Sequence, residues 1–241
     1  ESTRAIFEGL TWLGLAWAED VVYQGATLER HRRAAHALLA SGAAYRCFCT
    51  AAELDARRAD TDKRQEAFRY DRRCDRLDAA EVDRRVAAGT PHTVRFRVPE
   101  GSTGWTDLVH GDISFPNKDI DDLVILRSDG TPIYNLAVVS DDIAMRITHV
   151  LRGEDHISNT PKQILLYRAL GVALPTFAHF PNVLGTDDKK LSKRHGATAV
   201  GDYAHMGILP EAMCNFLALL GWSPGGDREV MTAEELIGYF S

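Results

Sequence analysis

Apolar positions recur at helical spacing from the start of the chain. Ile6, Leu10 and Leu13 share one face of a helix predicted over residues 2–14, with Ser2 or Thr3 able to cap it. A second helix is predicted over 27–40, stopped by Gly42. A short strand is expected at 45–49. Thr50-x-x-Glu53 then has the form of a capping box opening a third helix, and the arginine-laden stretch 57–76 reads as irregular. Residues 78–88 make another short helix, ended by Gly89. There the period changes to two: Val94, Phe96 and Val98 alternate with arginines, the pattern of a half-buried strand. Residues 101–117 carry turn residues and brief strands such as 112–115.

From Asp122 onward strands and helices alternate. The pattern predicts a buried strand at 123–126, a tight turn at Asp129-Gly130, and a helix opening at 134–139. A second apolar strand at 147–151 precedes Thr160-Pro161, a cap followed by proline at the first helical position, and a helix to Leu170. A third strand is expected at 177–184. After Gly196 the chain turns helical again, with Pro210 opening one helix and Thr232-x-x-Glu235 capping another. Strands alternating with helices of this length imply an α/β fold around a parallel, doubly wound sheet, and ligands on such sheets sit beyond the carboxyl ends of strands.

Composition adds bounds. The 241 residues suffice for one large domain or two modest ones, and 45% hydrophobic with 26% charged residues is ordinary for a globular protein. No apolar run approaches a membrane span, and the N-terminus does not resemble a signal peptide. Four cysteines, two in Cys47-Phe48-Cys49, suit a reducing compartment and a metal better than a disulfide framework, so a cytoplasmic location is expected. The net charge of −6 is unevenly spread: residues 30–97 hold sixteen basic and ten acidic side chains, net +6, against twelve and twenty-four elsewhere, net −12. A basic lobe on an acidic body fits a protein that meets phosphate with one part; arginine-rich exposed helices without a partner give the same count.

Four features could carry chemistry. Lys190-Leu191-Ser192-Lys193-Arg194-His195-Gly196 follows the third strand of the α/β part, and its ammonium groups could close on a polyphosphate; a solvated basic loop has the same composition. Arg152-Gly153-Glu154-Asp155-His156 follows a predicted strand and could grip a carboxylate, a ribose and a base, or merely cap the next helix. Tyr134 opens a helix at a sheet end, placed either to hydrogen-bond a substrate amine or to pack at an interface. Finally Cys47, Cys49 and Cys74, with Tyr70 between, form either a metal site short of an obvious fourth ligand or a set of small buried residues.

Asp129-Gly130-Thr131-Pro132-Ile133-Tyr134-Asn135, His149-Val150-Leu151-Arg152-Gly153-Glu154-Asp155-His156 and Lys190-Leu191-Ser192-Lys193-Arg194 occur in the order found in glutamyl-tRNA synthetases, class I aminoacyl-tRNA synthetases. The chain resembles that family from its first helix to its end. Leu209-Pro210-Glu211-Ala212 and Leu217-Ala218-Leu219-Leu220-Gly221-Trp222 resemble the helical segment that follows the lysine loop there. The resemblance implies ATP-dependent attachment of L-glutamate to tRNA(Glu) through glutamyl-adenylate, with Mg2+ accompanying ATP. Lys190 and Lys193 match the phosphate-holding, catalytic lysines. Asp155 and the backbone near Val183 match further ATP contacts, and Tyr134 and Arg152 match the glutamate pocket. A tentative zinc site of Cys47, Cys49, Cys74 and Tyr70 is similar to one in some relatives; the histidine usual two residues past the third cysteine is Arg76 here, so Tyr70 or Asp75 would have to serve.

The implied plan is a Rossmann-like catalytic domain at 1–46 and 122–198, an inserted α+β acceptor-binding lobe at 47–121, and the start of a helical stem-contact domain at 199–241. A monomer without membrane attachment is expected. One departure stands out: the family's His-x-Gly-His element is not formed by any of the nine histidines. The chain is therefore expected to be a fragment that cannot build the whole adenylate site. The implied alternatives are the relative that attaches glutamate to queuosine of tRNA(Asp), which shares the Cys-x-Cys, Tyr, Cys spacing, and a non-catalytic tRNA-binding fragment.

Overall fold

The computed structural model describes residues 2–63, 68–185, 187–191 and 199–240. They fall into two compact units, one built from Val22–His179 and the other from Glu1–Val21 with Phe180–Ser241.

The larger unit begins with helix α2 (Leu28–Ala40), preceded along the chain by α1 (Ser2–Trp12) of the smaller unit. His31, Ala35 and Leu38 of α2 are fully buried at the i, i+4, i+7 spacing of one helix face. Strand β1 (Ala44–Cys47) follows, then α3 (Ala51–Lys63), whose capping box forms as expected: Thr50 Oγ1 accepts the Glu53 N–H at 3.2 Å, and Glu53 accepts the Thr50 N–H at 2.7 Å. The stretch expected to be irregular from residue 57 is helical up to Lys63; alanines at 51, 52, 56 and 59 favour helix, and Arg58 pairs with Asp55 on the preceding turn at 2.8 Å. Helix α4 (Ala79–Ala87) is capped by Asp78, which accepts the Glu81 N–H at 2.7 Å.

Two sheets result. In the first, the order is β1, β2 (Thr93–Phe96), β5 (Val124–Leu126), all antiparallel. The first strand after Asp122 thus pairs with β2 of the basic segment, because Val94 and Arg95 take register opposite Leu126 and Val124. The second sheet has the order β4 (Gly111–Pro116), β3 (Ser102–Asp107), β7 (Thr176–Phe180), β6 (His149–Gly153). A hairpin joins β3 and β4 antiparallel, whereas β3 and β7 run parallel. Helices α5 (Tyr134–Met145) and α6 (Thr160–Ala169) complete the unit. This is the Rossmann-like α/β core that the alternation implies.

The main core joins Ala35 and Leu38 of α2, Val94 and Phe96 of β2, Ile125 of β5, Leu136 and Val139 of α5, and Leu165 and Leu166 of α6. A second cluster, Trp105, Ile164 and Phe177, fixes β3, β7 and α6 together. Burying side chains of this size stabilises by about 1.5–3 kcal/mol each. Asp122 ties the sheets' flanks: fully buried, it accepts Tyr45 Oη at 2.7 Å, Arg72 Nη2 at 2.7 Å and the Val98 N–H at 2.9 Å.

In the smaller unit α1 packs with α7 (Val200–His205), and α8 (Pro210–Leu219) with α9 (Ala233–Tyr239). Pro210 opens α8 and Thr232 caps α9 in a capping box, both as the sequence predicts. Cys214 Sγ points at the Leu13 carbonyl, 3.4 Å away.

Candidate active site

Arg152 lies one residue before the end of β6, and a short 3-10 helix (Glu154–Asn159) links the strand to α6. That short connection brings Arg152 against the first turn of α6. Its Nη2 donates to Thr160 Oγ1 at 2.7 Å and to Gln163 Oε1 at 2.8 Å, and its Nε faces His179 Nε2 at 3.2 Å. Gln163 in turn donates to Asn135 Oδ1 at 3.2 Å, linking α6 to the start of α5. Burial depresses the Arg152 guanidinium from its ordinary range, while Tyr134, Asp142 and Tyr167 act in the opposite direction. A guanidinium held this way is a fixed, forked cation suited to a carboxylate.

Tyr134 stands as the first residue of α5, about half exposed at 45%, with its ring 6.3 Å from that of His156. The interfacial reading of Tyr134 thus gives way to an exposed phenol beside Arg152. Asp155 lies in the 3-10 turn, exposed, one residue before His156. Arg152 and Asp155 thus lie at the end of β6 and just beyond it, and Tyr134, from the start of α5, approaches them through its ring contact with His156.

Val183 and Lys190 belong to the smaller unit. Both are exposed. The chain there doubles back: the Leu191 N–H donates to the Val183 carbonyl at 2.8 Å, the Gly185 N–H to the Lys189 carbonyl at 2.8 Å, and Leu184 bridges Lys190. The lysine segment thus begins as a tight hairpin, with Asp188 in the left-handed region at φ 55°. The expected strand 177–184 is correspondingly shorter, ending at Phe180. Ser192, Lys193, Arg194, His195 and Gly196 lie outside the described residues.

Sequence reasoning did not single out the support behind Arg152. His179 is fully buried, and its Nδ1 stands 2.5 Å from Asp107 Oδ2. Asp107 Oδ1 also accepts the N–H groups of Val109, His179 and His110 at 3.1, 3.1 and 3.3 Å. Burial alone would raise the Asp107 carboxyl, but the His179 bond and these N–H donors outweigh it and hold the group well below the usual carboxylate range. Strict alternation along β3, where Thr103, Trp105 and Asp107 are buried, was the available signal for an inward-facing aspartate.

The cysteines converge. The sulfurs of Cys47, Cys49 and Cys74 all lie within 4.8 Å of one another, with Cys49 and Cys74 3.6 Å apart. Tyr70 Oη is 3.3 Å from Cys47 Sγ and 3.5 Å from Cys49 Sγ. Asp75, the other candidate, is committed to Arg97 at 2.6 Å. Two thiolates on a tetrahedral zinc at about 2.3 Å stand about 3.8 Å apart, so the donor set fits that ion. Arg95 lies over the Tyr70 ring at 4.2 Å, its Nε buried without a hydrogen-bond partner. The neighbouring Cys74 thiol, with Tyr70 and Arg95 behind it, draws the Cys47 thiol well below its usual range against the opposing effect of burial. Cys74 itself is pushed up.

Comparison with known proteins identifies the family of the chain. The family model for tRNA synthetases class I (E and Q), catalytic domain, matches residues 1–241. A glutamate–tRNA ligase of Citrifermentans bemidjiense is 50% identical over 242 residues, covering all of this chain and half of the ligase. One from Thermodesulfovibrio yellowstonii is 51% identical with the same coverage. The crystal structure of a glutamate tRNA ligase from Elizabethkingia meningosepticum in complex with its amino acid superposes with a TM-score of 0.91 at 32% identity, over 100% of this chain and 55% of that one. The chain thus spans about half the length of the curated relatives it matches.

Proposed function

The chain belongs to the catalytic-domain family of the class I tRNA synthetases for glutamate and glutamine, and from that premise we propose that it carries the core of an enzyme joining L-glutamate to tRNA(Glu) with ATP. In the first step an oxygen of the glutamate α-carboxylate bonds to the α-phosphorus of ATP while the bond to pyrophosphate breaks. In the second, a hydroxyl of the terminal ribose of tRNA attacks the activated carbonyl, loses its proton, and AMP departs. No protein nucleophile is needed; positioning and placed charge suffice.

The single observation that carries this reading is the framed guanidinium of Arg152 at the end of β6, beside Tyr134, in a chain about half identical to glutamate–tRNA ligases. Arg152 pairs with a carboxylate of glutamate and Tyr134 hydrogen-bonds the same substrate. Lys190 and Lys193 hold the ATP phosphates and offset charge on the departing pyrophosphate. Asp155 and the backbone at Val183 contact the nucleotide, and Mg2+ arrives with ATP. The segment 47–121 receives the tRNA acceptor end through its arginines, and Cys47, Cys49, Cys74 and Tyr70 would hold a structural zinc that shapes this lobe. Free thiols suit a cytoplasmic enzyme.

The test is charging of tRNA(Glu) with labelled glutamate by the intact enzyme, run beside queuosine-containing tRNA(Asp). Label on the terminal ribose of tRNA(Glu) alone is expected. Label appearing only on tRNA(Asp), or on neither, contradicts the reading.

A further inference from the structure

Arg152, His179 and Asp107 come from three neighbouring strands, β6, β7 and β3, and form one line of contacts within the larger unit. Both members behind Arg152 are buried, His179 completely and Asp107 to 2% exposure. Asp107 Oδ1 accepts three backbone N–H groups and its carboxyl is held below the usual range, so as an acceptor it takes the proton of His179 Nδ1 at Oδ2. Nε2 is then the accepting atom of the ring, and it faces the N–H of Arg152 Nε at 3.2 Å and the hydroxyl of Thr160 at 2.9 Å. The opposite tautomer, or a doubly protonated ring, would set N–H against N–H at this point. Nε is thus turned to His179 and Nη2 is shared by Thr160 and Gln163, while the guanidinium also bonds the half-exposed Tyr134.

We propose that Asp107 and His179 are positioning residues for glutamate recognition: Asp107 selects the histidine tautomer whose Nε2 accepts from Arg152, and this fixes the fork against the substrate carboxylate. The inference rests on the reading of Arg152 as the glutamate-holding residue. It gives a second task to β3, a strand that sequence reasoning assigns to the acceptor-binding lobe: the hairpin β3–β4 carries at its end the carboxylate that governs the amino-acid site. The logic is that of a carboxylate orienting a metal-ligating histidine, where loss of the outer partner costs about 10- to 100-fold.

The discriminating variant is Asp107→Asn. Its Oδ1 keeps the three backbone N–H donors, while its Nδ2 replaces the acceptor facing His179 Nδ1 and, more distantly at 3.4 Å, Trp105 Nε1, and inverts the tautomer. In tRNA charging by the intact enzyme, Asp107→Asn should raise KM for glutamate by about 10- to 100-fold and leave KM for ATP unchanged. In a His179→Gln background, which already lacks the ring, Asp107→Asn should add little. Thermal unfolding establishes that each variant folds; should Asp107→Asn not fold, His179→Gln alone carries the test, with a comparable rise in glutamate KM at constant ATP KM. Unchanged glutamate KM, or an equal effect of Asp107→Asn in both backgrounds, overturns the proposal. Arg152→Ala in parallel separates the two levels: if it leaves glutamate KM unchanged, the reading of Arg152 fails, and if it raises KM while Asp107→Asn does not, only the positioning role fails.

Discussion

Asp107 shows how much one buried carboxylate can organise. It collects three backbone N–H groups and a histidine at a strand end, which keeps it ionised despite burial. Because its folded-state value lies below the ordinary carboxylate value of about 4, it stabilises the folded chain fully above that pH and loses this contribution as pH falls further. The difference in unfolding temperature between wild type and Asp107→Asn should therefore be largest at neutral pH and shrink below about pH 4; a difference independent of pH down to 2 would show that the carboxylate is not held in that way. Arg152 and Tyr134 were legible in the sequence because their flanking motifs resemble a family. His179 and Asp107 were not, since their meaning depends on β7 lying between β3 and β6, a pairing across some 70 residues that no local pattern encodes.

At the scale of elements, most helices followed from caps and apolar spacing. Where the reading fell short, tertiary pairing or local propensity decided: α3 runs on through the first arginines, and β5 joins an antiparallel sheet with β1 and β2. The cysteine lobe is the clearest case of elements built around side chains. Cys47 closes β1, Cys49 follows it, and Tyr70 and Cys74 arrive from the segment before α4, where Arg72 takes the left-handed conformation at φ 56°. Sequence spacing identified the thiols; only the fold shows Asp75 turned to Arg97 and Tyr70 left facing the sulfurs. Purified protein should contain one zinc per chain by elemental analysis, and Cys49→Ser should lose it on dialysis against a chelator that wild type withstands. Protein free of metal after zinc-supplemented expression would reduce the cluster to packed thiols.

Over the whole molecule, the charge contrast between residues 30–97 and the remainder survives folding in altered form. Many arginines of the basic segment are partnered at home: Arg57 with Asp71 at 2.7 Å, Arg84 and Arg85 with Glu81 at 2.6 Å, and Arg97 with Asp75. Pairs of this partly exposed kind stabilise little, about 0–1 kcal/mol each, and can yield to phosphate. The described lysine segment belongs to the smaller unit and Arg152 to the larger, so the motifs alone, and not the periodicity, suggest that they share a reaction. The central claim is catalysis by placed charge, and the most direct test is steady-state charging of tRNA(Glu) by the intact enzyme carrying Lys190→Met. Loss of one such donor should lower kcat by about 10²- to 10³-fold while KM for glutamate stays within about twofold of wild type. An unchanged kcat would contradict the account.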